Sequence, residues 1–354
     1  MYWYGFTVKL AIFLPSLETG GLASLAIELG EAAKLRGIEV ELITLYNSSL
    51  ELKTDLKTTS LKVSPPRNGS LKPIIAFLRL FRAYFRLVKF APHNIICLDP
   101  SSAFICLMVK LRLRMTRVAV GCYTPVGLLV RSDKFVIRNL YHFANLVVAP
   151  SSTAGKDLRQ INPRIKLRII PNPYSTASSV CLTREPQLEK KWDCLYLGRL
   201  SEEKGVRQIL NIAERAPDLK FCIAGDGLER EYLENSISKR DIENIDVIGW
   251  QSPSSCLPYS RVLLVPSKSE TFGIVITESW LHGIPVVAFA GADGPRELIS
   301  SMGGGGLVKE YEQIDEWVLR IREQLLKPLS DNFIILTLQK FSAYEIIQAW
   351  FNDE

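Results

Sequence analysis

The hydrophobic pattern of the chain alternates between short apolar runs and longer amphipathic segments. Five runs in the first half are typical of buried parallel strands, at residues 8–14, 39–45, 94–98, 117–120 and 146–149. A second set follows at residues 193–197, 220–224, 246–248, 262–265 and 285–289. Helical segments lie between the runs, such as residues 22–36, which stop at Gly37. This alternation predicts an α/β fold built from doubly wound parallel sheets.

A Pro-, Ser- and Thr-rich stretch at residues 171–190 interrupts the alternation and is interpreted as a linker. A chain of 354 residues is long enough for two domains. We therefore predict domains at 1–172, joined by a closing helix at 341–354, and at 173–340. Two such halves would form a cleft, with ligands beyond the carboxyl ends of the strands.

Composition points to a folded protein in a reducing compartment. The seven cysteines form no C-x-x-C pair, and their odd number does not suggest a disulfide framework. No run of 18 apolar residues predicts a spanning helix, and the first residues lack a cationic leader. These features predict a cytoplasmic protein.

Charge is divided unevenly between the two halves. Residues 1–172 hold 24 Lys and Arg against 10 Asp and Glu, a net of +14, whereas residues 173–354 hold 19 against 27, a net of −8. Such asymmetry suggests that the first half faces an anionic partner.

Two glutamates stand out between the strand-like runs at 262–265 and 285–289. Glu270 precedes a predicted crossover helix at residues 273–282, and Glu278 lies inside it. The free N–H groups at a helix start attract phosphate, so the two carboxylates could hold hydroxyl groups on either side of a bound diphosphate. Two solvated acids near a strand end would give the same pattern.

Glycines and cations follow other predicted strands. Arg199 and Lys204 lie around a turn after residues 193–197, where they could clamp a diphosphate or form an ordinary charged turn. Gly20 and Gly21 follow the first strand without a full G-x-G-x-x-G, so they allow either a phosphate loop or a tight turn. Gly225 ends a further strand and could admit a base or diphosphate or form a plain turn, and the backbone at Ile248, which ends another, could contact a nucleobase edge.

The order of these motifs, with Ile284-Pro285-Val286-Val287-Ala288 after Glu278, resembles the retaining glycosyltransferases of family 4, of the bacterial surface-polysaccharide type. The resemblance covers nearly the whole chain and implies a GT-B fold of two Rossmann-like domains facing across a cleft. It also implies a nucleotide-diphosphate sugar of the UDP or GDP type as donor and a glycan as acceptor. The acceptor would bind to the first domain.

The resemblance implies a role for each motif. Arg199 and Lys204 would neutralise the leaving diphosphate, so no divalent metal and no other cofactor is expected. Glu278 would bind the ribose and Glu270 the donor sugar, while Gly20 and Gly21 would let the first domain close on the diphosphate. The remaining donor contacts would come from Gly225, Ile248, Phe272, Gly273, Ile274 and Val275.

One family feature is missing. Many members carry a histidine after the fourth strand, where this chain has Val120-Gly121-Cys122-Tyr123-Thr124-Pro125. Tyr123 and Thr124 are the acceptor-side candidates for that place. Without an obvious nucleophile, we predict substitution on one face of the sugar, with the departing phosphate taking the acceptor's proton.

A basic amphipathic segment at residues 72–90 predicts where the protein works. Helical spacing would place Arg79, Arg82, Arg86 and Lys89 on one face, either against an anionic membrane or as a solvated edge. With the net charge of +14, this favours peripheral attachment at the inner face of the plasma membrane and a lipid-linked acceptor. No nucleic-acid module accompanies the cations, so nucleic acid is not expected as a partner.

Three other functions fit parts of the pattern. A transferase with a soluble acceptor would need no membrane contact. A nucleotide-sugar epimerase of the same shape would need acid and base carboxylates in the first half, where Glu18, Asp99 and Asp133 lie near loops. A non-catalytic sugar-nucleotide binding protein would explain the missing histidine but not the four charged site residues.

Overall fold

A computed structural model describes the chain at residues 8–17, 20–46, 52, 54–61, 72–174 and 189–351. The side chains of residues 72–80 and 101 lie outside this description. The chain divides into two compact units, one of Met1–Pro173 with Ala343–Glu354 and one of Tyr174–Ser342. Part of the predicted linker, residues 175–188, lies outside the described residues.

The first unit contains a seven-stranded parallel sheet. Its strands are β1 (Lys9–Leu14), β2 (Glu39–Thr44), β3 (Lys57–Ser60), β4 (Asn94–Cys97), β5 (Arg117–Gly121), β6 (Leu146–Ala149) and β7 (Leu167–Ile169). They are arranged in the order β3-β2-β1-β4-β5-β6-β7. The order reverses between β1 and β4, and ligands in such sheets bind beyond the carboxyl ends of the strands at this point.

Helices cover both faces of this sheet. One face packs against α1 (Gly21–Leu35) and α13 (Ala343–Phe351). The other packs against α2 (Lys72–Phe90), α3 (Ala103–Arg112), α4 (Arg131–Leu140) and α5 (Ser152–Ile161). No helix among the described residues combines the length and the apolar content that a membrane-spanning segment needs.

The second unit contains a six-stranded parallel sheet. Its strands are β8 (Trp192–Leu197), β9 (Phe221–Ala224), β10 (Ile245–Gly249), β11 (Ser260–Val265), β12 (Val286–Phe289) and β13 (Gly305–Val308). They are arranged in the order β10-β9-β8-β11-β12-β13. The helices are α6 (Arg207–Arg215), α7 (Arg230–Arg240), α8 (Pro253–Cys256), α9 (Ile274–Leu281), α10 (Asp293–Met302), α11 (Ile314–Leu325) and α12 (Asp331–Lys340). Both sheets are parallel and doubly wound, which confirms the predicted fold class.

The chain leaves the second unit two residues later than the sequence indicated. Phe341, which we assigned to the first domain, is buried in the second core, where its ring lies 5.9 Å from that of Phe272. Ala343 begins the helix that packs on α1. The aromatic contact with Phe272 therefore places the change between units after Ser342.

The predicted basic face of α2 is only partly present. Arg82 and Lys89 are exposed, and the side chain of Arg79 lies outside the described residues. The assignment of Arg86 to a membrane-facing surface is wrong, because its guanidinium pairs with Glu41, a fully buried glutamate on β2. Arg86 Nε donates to Glu41 Oε1 at 2.9 Å, and Thr59 Oγ1 donates to the same oxygen at 2.7 Å.

Replacing Arg86 with alanine should lower the free energy of unfolding by about 3 kcal/mol, because a buried carboxylate would lose its main cation. Burial alone would raise the pKa of Glu41, but hydrogen bonds from Thr59 and Arg86 and the charge of Arg86 lower it overall. The charged form of Glu41 therefore stabilises the fold fully above the pKa of an ordinary glutamate. This stabilisation is lost as the pH falls through the lowered pKa of Glu41. Urea titration at pH 7 and pH 4 checks both statements.

The matched control is Arg82→Ala, an exposed arginine on the same helix, which should change the free energy by less than about 0.5 kcal/mol. Equal stabilities of the Arg86 and Arg82 variants at pH 7 would contradict a structural role for the pair.

Candidate functional site

The candidate site of the second unit lies where its strand order reverses, between β8 and β11. These strands pair in parallel, with Leu263 opposite Leu195 and Leu264 opposite Tyr196. Their carboxyl ends are therefore adjacent, and the loops that follow them carry Arg199, Lys204 and Glu270. This is the position at which doubly wound sheets bind ligands.

The two loops hold each other in place through the backbone. The N–H of Lys268 donates to the carbonyl of Glu203 at 3.0 Å. Gly205 has a φ of 69°, and a Cβ there would lie 2.0 Å from the carbonyl oxygen of Pro266. Only glycine fits both the left-handed backbone and this close approach. The turn that carries Lys204 is thus fixed against the loop that carries Glu270.

Lys204 and Glu270 form an ion pair across these loops, between Nζ and Oε2. The lysine side chain is 26% exposed and the glutamate side chain 19%, so both charges are partly shielded yet open to a ligand. The sequence predicted one residue for the diphosphate and the other for the sugar, and the structure brings the two into direct contact. The pair can fix the carboxylate while keeping a cation beside it.

Arg199 lies on the same loop but is open to solvent. Its guanidinium is 3.7 Å from the carboxylate of Glu203, a residue that the sequence analysis did not select. Burial alone would raise the pKa of Glu203, but its own backbone N–H and the charges of Arg199 and Lys204 help to lower it overall. The loops thus hold two cations and two charged carboxylates, and an incoming diphosphate would compete for the cations.

The start of α9 completes this group of residues. Gly273 precedes the helix with a φ of 93°, and a Cβ there would lie 3.6 Å from Cγ of Glu270. The N–H of Gly294 donates to the carbonyl of Glu270 at 2.9 Å, which fixes the loop to the start of α10. The first turn of α9 contains no acidic residue, so its backbone N–H groups, including those of Ile274 and Val275, suit an anion.

Two other residues that were predicted to contact the donor are buried in the second unit. Phe272 is buried in the core, so only its backbone can reach a ligand. Glu278 is largely buried one turn into α9.

Gly225 has a φ of 153°, and a Cβ there would lie 1.8 Å from the carbonyl oxygen of Gly198, so its close packing needs no ligand. Ile248 lies near the end of β10, where its carbonyl accepts from Gln251 Nε2 at 3.3 Å.

The first unit places its candidates at the ends of two strands. Gly20 and Gly21 are exposed at the start of α1, after β1. Tyr123 and Thr124 follow β5; the tyrosine packs against the core, where burial raises the pKa of its phenol, and the threonine is exposed. Contact of any of these residues with a donor or acceptor stays a prediction.

Two of the three histidines have structural surroundings that account for them. His282 ends α9, and burial lowers its pKa to about 4, so it is neutral at pH 7. His93 accepts a backbone hydrogen bond from Lys9 at 3.0 Å. The described residues contain no group of three His, Cys, Asp or Glu side chains that could hold a metal ion.

Two family models match successive parts of the chain. The model described as Glycosyltransferase Family 4 matches residues 19–178, and the model described as Glycosyl transferases group 1 matches residues 183–335. The boundary between them falls in the predicted linker. Each unit of the structure therefore corresponds to one model.

Curated relatives match over about half of their length. The 2-deoxystreptamine N-acetyl-D-glucosaminyltransferase of Niallia circulans is 26% identical over 49% of this chain and 45% of its own. A lipopolysaccharide core biosynthesis glycosyltransferase of Rhizobium meliloti is 28% identical over 49% of this chain and 56% of its own. The chain thus spans about half of each of these relatives.

A solved structure matches over the full length. The HepE protein of Anabaena, in complex with UDP and glucose, superposes with a TM-score of 0.78 at 18% identity, over 97% of this chain and 98% of that one. This likeness shows the fold, the two-domain GT-B fold of glycosyltransferases. With both family models matched in order along that fold, the chain belongs to the family 4 glycosyltransferases.

Proposed function

We propose that this protein transfers a hexose or N-acetylhexosamine from a nucleotide-diphosphate sugar to a lipid-linked glycan in the synthesis of a surface polysaccharide such as an O-antigen. The observation that carries the proposal is the group formed by Arg199, Lys204, Glu270 and the start of α9. It presents two cations and helix N–H groups beside a fixed carboxylate, which suits a diphosphate joined to a sugar.

The cations would assist departure of the leaving group. As the bond between the anomeric carbon and the phosphate oxygen breaks, negative charge grows on the diphosphate, and fixed positive charge there lowers the barrier. Lys204 and Arg199, with the N–H groups of α9, can supply that charge without a divalent metal. We therefore propose that the reaction needs no metal ion.

Glu270 would hold the hydroxyl groups of the donor sugar, and Glu278 the ribose. Lys204 keeps the carboxylate of Glu270 in one orientation, so a sugar bound there would be positioned before reaction. The acceptor hydroxyl would then attack the anomeric carbon on the face that the diphosphate leaves. Attack on this face gives retention of configuration. The proton of the acceptor hydroxyl would pass to the departing phosphate oxygen, so no separate base is needed.

Relatives support the donor and the pathway class. HepE was solved with UDP and glucose, and the Rhizobium meliloti relative acts in lipopolysaccharide core biosynthesis by its name. We propose a UDP- or GDP-linked sugar and an acceptor at the inner face of the plasma membrane. The excess of cations in the first 172 residues supports a location at an anionic surface.

An epimerase finds less support in the first unit. Asp99, one of the carboxylates it would need, accepts hydrogen bonds from Ser102 N at 3.0 Å and Ser102 Oγ at 2.6 Å. This carboxylate caps the turn that leads into α3, which is a structural task.

The product should keep the anomeric configuration of the donor, and its formation should be insensitive to EDTA. The purified protein is screened for stabilisation by UDP, GDP and their sugars, and the sugar that binds is then incubated with a lipid-linked acceptor. Proton NMR of the first product formed reports the configuration. An inverted product would contradict same-face substitution, and loss of activity in EDTA that Mg²⁺ restores would contradict the metal-free reaction.

A further inference from the structure

Helix α3 carries apolar side chains on both its buried and its exposed faces, with Lys110 and Arg112 in its last turn. Ile105, Leu107 and Val109 are buried in the core that α3 shares with the sheet and the neighbouring helices. Its outer face, however, carries Met108, 41% exposed, and Leu111, 72% exposed. A surface helix normally turns polar side chains outward, so this outer face is suited to a second apolar environment.

The neighbouring helices extend this surface. Both α2 and α4 pack against α3 on the same side of the first sheet, so their exposed sides point away from that sheet together. Phe81 and Phe85 of α2 are each 51% exposed, with ring centroids 4.5 Å apart, and Phe135 of α4 is 65% exposed. The apolar face, as we call it, consists of Phe81, Phe85, Phe104, Met108, Leu111 and Phe135.

The helices that carry the apolar face are also rich in positive charge. Between residues 81 and 143 the sequence holds ten Lys and Arg but only two Asp and no Glu. Exposed cations occur on each of the three helices, at Arg82 and Lys89 of α2, Arg112 of α3 and Lys134 of α4. Aromatic and aliphatic side chains with Lys and Arg around them are typical of surfaces that lie on anionic bilayers.

We propose that the apolar face docks on an anionic lipid bilayer, with its side chains at the level of the headgroups and the surrounding cations beside the lipid phosphates. Attachment would then depend on Met108, Leu111 and Phe135 more than on the basic edge of α2, where Arg86 is bound to Glu41. Docking on a bilayer would bring the site to a lipid-linked acceptor, and in this respect alone it rests on the proposed function.

Flotation of the full chain with vesicles tests the proposal. The protein should float with vesicles that contain phosphatidylglycerol and more weakly with pure phosphatidylcholine. The combined change Met108→Ser, Leu111→Ser and Phe135→Ser should reduce binding at least about tenfold, because three apolar side chains no longer leave water. The matched control, Leu228→Ser with Leu326→Ser, alters side chains that are 98% and 82% exposed in the second unit and should bind like the unaltered protein.

Failure of the unaltered protein to float, or an equal loss in the control, would overturn the proposal. So would self-association, seen by light scattering, that the triple variant abolishes, because the apolar face would then belong to a second copy. If the triple variant does not fold, Leu111→Trp is compared with Leu228→Trp. Brominated lipids should quench the added fluorescence of the first alone, and equal quenching would again overturn the proposal.

The flotation result is independent of the proposed reaction. Vesicle binding is measured without nucleotide sugar, and transfer can be measured on a water-soluble acceptor. Loss of one with the other retained therefore shows which of the two proposals fails.

Discussion

Replacing Glu270 with glutamine should slow sugar transfer about a thousandfold while leaving the affinity for the nucleotide diphosphate unchanged or slightly increased. The carboxylate would hold the sugar as positive charge grows on its anomeric carbon, so its loss affects the transition state more than the bound donor. Lys204 would lose its partner and become more available to the diphosphate. Initial rates of nucleotide release and calorimetric titration with UDP or GDP measure the two effects.

The control for this prediction is Glu243→Gln, which removes an exposed charge from the same unit. It should alter neither rate nor affinity. Unchanged turnover in the Glu270 variant would remove Glu270 from the site, whereas loss of rate and nucleotide affinity together would assign it to the ground-state complex.

The central strands of both sheets could be predicted from the sequence because they are buried on two faces and therefore continuously apolar. Three edge strands were missed. β3 reads Lys-Thr-Thr-Ser, β7 has only three residues, and β13 begins with two glycines. An edge strand needs neither length nor apolar side chains, because its pairing with one neighbour defines it. Sequence pattern therefore identified the sheet centres, which position the site.

The site could be predicted as separate motifs but not as a network. Lys204 and Glu270 are 66 residues apart in the sequence, and only the adjacency of β8 and β11 brings them together. Glu203 could have been selected, since it lies next to Lys204 in the same charged turn. Sequence spacing alone gives no sign that it faces Arg199.

The misassignment of Arg86 has a similar cause. Helical spacing places Arg82, Arg86 and Lys89 near one another, but it does not show what covers each of them. The informative residue was Glu41, an acid inside the strand-like run at 39–45. A carboxylate buried in a sheet needs a cation nearby, and a partner on a covering helix could have been sought.

Replacing Lys204 with alanine should reduce transfer by a factor of about a hundred to a thousand and weaken nucleotide binding as well, unlike the change at Glu270. The ammonium would contact the diphosphate both before and during bond cleavage, and Glu270 would lose the cation that orients it. Lys220→Ala, an exposed lysine of the same unit, is the control and should be neutral.

The double variant separates these two roles of Lys204. If the lysine acts partly by holding Glu270, the losses from Lys204→Ala and Glu270→Gln should not add, and the double variant should be little slower than the poorer single variant. Independent sites would instead multiply their effects to at least about a hundred-thousandfold. Multiplication would show that the ion pair is incidental, whereas non-additive rates with weakened nucleotide binding would show that one lysine serves both the leaving group and the sugar.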